Sequence, residues 1–77
     1  MIKMQTLVFN TTTKTVKLYS GKMEGSEILY QFTNVPTVKK DESYYEVMEE
    51  TENQEGLKNR YPVARFPIAN TNMLILK

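Results

Sequence analysis

The chain has 77 residues and a net charge of +1, with 40% hydrophobic and 25% charged residues. That is an ordinary single-domain composition, too apolar for disorder and without the run of roughly 18–20 apolar residues that a membrane-spanning helix needs. Cysteine and histidine are both missing, which excludes disulfides and removes the usual ligands of structural zinc. At this size folding hides only about 60–65% of the chain's surface, so self-association is the remaining way to enlarge a small core, and a homo-oligomer is expected beside the packed monomer.

Met1-Ile2-Lys3-Met4 leads into no long apolar stretch and no small-residue cleavage site, so a cytoplasmic location is expected. The first strand is predicted over Ile2–Phe9, and Leu7, Val8 and Phe9 make its far end apolar on both faces. A turn at Asn10–Thr13 leads to a second strand over Thr15–Tyr19, with Val16 and Leu18 inward and Thr15, Lys17 and Tyr19 outward. Ser20-Gly21 and Glu24-Gly25-Ser26 punctuate the connection that follows.

Glu27–Thr33 alternates Ile28, Tyr30 and Phe32 against Leu29 and Gln31, a third strand whose aromatic residues are expected in the core. Pro36 interrupts it, because proline lacks a donor and restricts its predecessor, and Val38-Lys39-Lys40 resumes as a short strand. Asp41–Glu55 admits two readings. As a helix over about 42–55 it has Asp41 as N-cap and Gly56 just past its end, which would make the domain α+β. As a strand over Ser43–Glu50 it sets Tyr45 and Val47 opposite Tyr44, Glu46 and Met48, followed by a polar loop. Beyond Met48 a helix has nothing apolar to bury before Leu57, which favours the strand.

Arg60–Ile68 reads as a short edge strand bracketed by Pro62 and Pro67. Ala69-Asn70-Thr71-Asn72 is turn composition, and Met73-Leu74-Ile75-Leu76 is a last apolar strand that must pair within a closed sheet or against another subunit. The whole is mainly β: residues 1–77 form one small domain, an antiparallel meander or partly open barrel of five or six short strands. Its C-terminal order of strand, short turn and strand is similar to the last strands of SH3-like barrels. That likeness is of architecture alone and covers about a quarter of the chain.

Charge is segregated along the sequence. Residues 1–40 carry six lysines against Glu24 and Glu27, a balance of +4; residues 41–56 carry seven acids and no base; residues 57–77 carry Lys58, Arg60, Arg65 and Lys77. With no histidine for general acid–base chemistry, no cysteine nucleophile and no phosphate-binding loop, no enzyme and no cofactor are expected.

The acidic stretch is the strongest candidate for function. Tyr44, Tyr45, Glu46, Met48, Glu49 and Glu50 together offer negative charge and large anchors to a protein partner with a basic surface. The same acids also suit a solvated face countered by nearby bases. Arg65 either pairs with a carboxylate such as Glu46 across a sheet or holds an anionic ligand. The expected function is a small inhibitor or regulator that occupies a surface of another protein. Chains of this size and composition are common among phage and mobile-element inhibitors. The alternative is a nucleic-acid or nucleotide-binding module using Lys14, Lys17, Lys22, Tyr19, Lys39, Lys40 and Arg65. No membrane partner is expected.

Overall fold

The computed structural model describes residues 4–21 and 26–77. Seven strands follow in order: β1 (Gln5–Asn10), β2 (Thr15–Tyr19), β3 (Ile28–Phe32), β4 (Thr37–Lys40), β5 (Tyr44–Glu52), β6 (Lys58–Pro67) and β7 (Thr71–Leu76), with a 3-10 helix at Ile68–Asn70 before the last. They form a four-stranded sheet of order β3-β2-β1-β7 and a three-stranded sheet of order β4-β5-β6. The chain is mainly β, as its alternating apolar pattern requires.

The strand favoured for Ser43–Glu50 is present as Tyr44–Glu52, with Val47 in the core and Glu46 outside, and the alternative helix over 42–55 is not formed. Two details of the expected sheet need correction. Among the described residues there are seven strands in two sheets, not closed into a barrel, because no strand of one sheet pairs with a strand of the other. The meander is also not wholly antiparallel, since β7 runs parallel to β1. Ile2, Lys3, Lys22, Glu24 and Gly25 lie outside the described residues.

The β1–β2, β4–β5 and β5–β6 turns are each held by an Asx side chain that accepts from the backbone two to four residues on. Asn10 Oδ1 accepts from Thr12 N and Thr13 N at 3.0 and 3.1 Å. Asp41 Oδ1 accepts from Ser43 N and Tyr44 N at 2.7 and 2.6 Å. Asn53 Oδ1 accepts from Glu55 N and Leu57 N at 2.9 and 3.0 Å, and Gly56 takes the positive φ of 82° that this last turn needs.

The core lies between the sheets. Leu7, Phe9, Val16 and Leu18 from one side meet Val47 and Phe66 from the other, around Val35. β1 is buried over Thr6–Phe9, as expected of the central strand in its sheet. The crossing at Val35 is held by two residues with left-handed backbones. Lys14 (φ 56°) accepts Val35 N–H at 2.8 Å, and Asn34 (φ 56°) accepts Glu50 N–H at 2.9 Å. Phe32 packs on Phe66, but Tyr30, stacked on Phe32, is 59% exposed, so that part of β3 extends beyond the core.

Candidate interaction surfaces

Strand alternation divides the acidic segment between two faces. On β5, Tyr45, Val47 and Glu49 point towards the core side, whereas Tyr44, Glu46, Met48 and Glu50 point away. The inner set is largely spent. Tyr45 packs against the core with Lys40 Nζ 5.9 Å from its ring centre, and the Tyr61 hydroxyl lies 3.5 Å from Glu49 Oε1. On the outer face Met48 is only 6% exposed, Arg65 Nε donates to Glu46 Oε2 at 2.7 Å, and Arg60 Nε donates to Glu50 Oε1 at 2.9 Å. Of the six predicted residues only Tyr44 is both exposed and without a partner in these pairings. Arg65 takes the first of its two expected roles, the cross-strand pair with Glu46.

The electrostatics follow this geometry. The Glu50 carboxyl is held below its ordinary value, chiefly by the Arg60 side chain. The Asp41 carboxyl is likewise lowered by the Ser43 and Tyr44 amides, while Arg65 is raised above its ordinary value by Glu46. The Asp41 and Glu50 carboxylates therefore stay charged at neutral pH, and Glu46 and Glu50 each have an arginine beside them.

The residues of the nucleic-acid alternative are also dispersed. Lys17 and Tyr19 share the outer face of the four-stranded sheet, opposite the face that carries Leu18 and Val16. Lys39 and Arg65 lie on either side of Glu46 on the outer face of the other sheet, so the two sets point away from each other across the core. Lys14 lies apart from both, beside Asn34, Glu50, Glu52 and Lys58 in an open cleft of about 510 Å³. Its cations and carboxylates balance.

What sequence reasoning missed is a protruding arm. β4 pairs with β5 only from Tyr45 to Met48, whereas β5 and β6 stay paired on to Glu52 and Lys58. Asn34 still holds the Glu50 N–H, so at about 3.3–3.4 Å per residue the unsupported ribbon is roughly 7 Å long before its turn. Residues 51–60 are all exposed, the molecule measures 48 × 26 × 20 Å, and Leu57 at the arm's end is 62% exposed beside Glu55. The signal for it was present in the sequence. A Tyr-rich strand, an Asn-x-x-Gly turn and a second strand of opposite charge together make a hairpin longer than the strand beside it.

No family of known proteins, no curated protein and no solved structure matches this chain. Among the described residues no group of three or more Asp or Glu is arranged to hold a metal ion, and no helix is long and apolar enough to cross a membrane.

Proposed function

We propose that this chain is a small, non-enzymatic cytoplasmic binding protein, an inhibitor or regulator that occupies a surface of another protein. The contact is the end of the β5–β6 arm, where Glu52 and Glu55 offer charge to a basic partner and Leu57 supplies the apolar anchor. The observation that carries this reading is the preparation of the tip. Asn53 accepts two backbone amides, Asn53 N donates to Leu57 O at 2.9 Å, and Gly56 N donates to Asn53 O at 3.0 Å. A turn fixed in this way loses little freedom on binding, so more of its contact energy appears as affinity. A bare two-stranded ribbon is marginal in water, and here the Glu50–Arg60 pair and the Glu50 N–H bond to Asn34 brace its base.

The nucleic-acid alternative has less support, because the lysines it needs lie on different faces. Affinity capture with the wild-type chain and with folded Leu57→Ser and Glu52→Lys/Glu55→Lys variants tests the proposal. It predicts a protein retained by the wild type and lost by both tip variants. Equal retention by all three contradicts it, as does salt-sensitive binding of single-stranded DNA or RNA instead.

A further inference from the structure

The four outer edges of the two sheets are treated very differently. β4 carries Lys39 and Lys40 and follows Pro36, while β6 carries Arg60, Arg65, Pro62 and a bulge opposite Val47/Met48. Charges, prolines and bulges are the devices that stop an edge strand from pairing with another chain. The edges of the four-stranded sheet have none of the first two. β3 (Ile28–Phe32) and β7 (Thr71–Leu76) contain no charged residue and no proline. β3 does carry a bulge against its inner neighbour, opposite Leu18/Tyr19, as β6 does against β5, but it has neither of the other two devices. Six of the ten exposed large apolar side chains among the described residues lie on these two strands: Ile28, Leu29, Tyr30, Leu74, Ile75 and Leu76. Tyr30 continues the ring row Phe66–Phe32 outwards from the core.

We infer that these two edges are the two halves of one interface between copies of this chain, with β3 of one protomer laid against β7 of the next. A second copy is the occupant because every copy carries both an open β3 edge and an open β7 edge. The chain exposes 5569 Å² where a compact monomer of 9.0 kDa exposes roughly 4900 Å², an excess to which the exposed arm over residues 51–60 also contributes.

Topology selects the arrangement. β3 and β7 lie at opposite ends of one sheet, so a β3-to-β3 contact leaves β7 open, whereas a β3-to-β7 contact covers both edges with a single joint. The two strands run in the same direction, because β2 is antiparallel to both β1 and β3 and β7 is parallel to β1. A sheet continued from copy to copy therefore pairs them parallel, as β1 and β7 already pair. Such a head-to-tail joint closes into a ring of three or more copies or runs on as a fibre. The inference uses a different surface from the arm and stands whether or not the arm binds a partner.

The chain has no cysteine, so introduced thiols report the joint without interference. Leu29→Cys, Ile75→Cys and the double variant are treated with a short thiol-to-thiol cross-linker, and the wild type is sedimented across a concentration series. The expected result is an oligomer of at least three copies, a covalent ladder from the double variant, and no ladder from either single variant. Within one chain the two positions are separated by two intervening strands, so the ladder reports contact between copies. Leu29→Lys, at an already exposed site, is expected to return a folded monomer by circular dichroism and sedimentation, with Ile75→Lys as the second variant should the first fail to fold. A wild type that sediments as a monomer at every concentration overturns the inference. So does a Leu29→Cys variant that cross-links to itself, which would show a β3-to-β3 dimer.

Discussion

Glu46 and Arg65 face each other across β5 and β6 at 2.7 Å, and four residues further along β5 Glu50 meets Arg60 in the same manner at 2.9 Å. The spacings do not match. The glutamates are four apart and the arginines five, so a regular ladder would turn one pair to opposite faces. The bulge between Val47 and Met48 resolves this by leaving Val63 of β6 unopposed, with Val47 opposite Ala64 and Met48 opposite Pro62. Glu52 then stands opposite Lys58. Acid on one strand and base on the other thus match in the register of the longest hairpin, and the charged stretch that looks like a contact surface is mostly internal to that hairpin.

The core is small enough for one side chain to decide whether the domain folds. Leu18 is fully buried between the sheets, and Leu18→Ala is expected to cost about 2–5 kcal/mol. A 77-residue domain has only about 4–12 kcal/mol in total. Leu57→Ala, at the exposed arm tip, is expected to stay within about 0.5 kcal/mol of the wild type. Urea unfolding followed by circular dichroism separates the two.

Gly56 is the turn residue whose side-chain-free backbone matters most. An added Cβ meets only Glu52 Oε1 at 3.7 Å, so space is not the obstacle, but φ is +82°. Gly56→Ala is expected to lose roughly 1–2 kcal/mol through left-handed strain, and Gly56→Asn less, since asparagine tolerates that region better. Thermal melts of the two variants give the order directly.

Acid should weaken the fold through Asp41 and Glu50. Both carboxyls sit below their ordinary values, Asp41 through the Ser43 and Tyr44 amides and Glu50 through Arg60. A carboxylate depressed in the folded state contributes fully above its unfolded pKa and loses that contribution as pH falls through the folded one. Stability is therefore flat near neutrality and declines below about pH 4. Asp41→Asn keeps an acceptor but no charge, so its urea midpoint should vary less between pH 5 and pH 2 (roughly the span in which a depressed aspartate titrates) than that of the wild type.

Much of the fold was legible because its strands follow period two. Val16 and Leu18 point inward as their alternation predicts, and Met48 is the last apolar residue before Leu57, which argued against a helix there. The parallel β1–β7 pairing was not legible, since no local pattern records which distant strand lies alongside. The placement of Tyr30 was missed for a related reason: its alternation puts it on the core side, but the opposite sheet does not extend far enough to cover it. At the candidate site, Glu46–Arg65 could be anticipated from charge. The division of Tyr44, Tyr45, Glu46, Met48, Glu49 and Glu50 between two faces followed from alternation once the segment was a strand, and that division prevents them from acting as one surface.

A charge-swap cycle on the outer face of the hairpin tests the account at its centre. Glu46→Arg/Glu50→Arg alone places like charges opposite one another and should lower the urea midpoint, as should Arg60→Glu/Arg65→Glu alone. The four changes together exchange acid and base between the strands and should recover most of the loss. Recovery in the fourfold variant is the predicted result. If either single-strand variant is as stable as the wild type, or the fourfold variant only adds the two losses, cross-strand charge does not hold this hairpin in register.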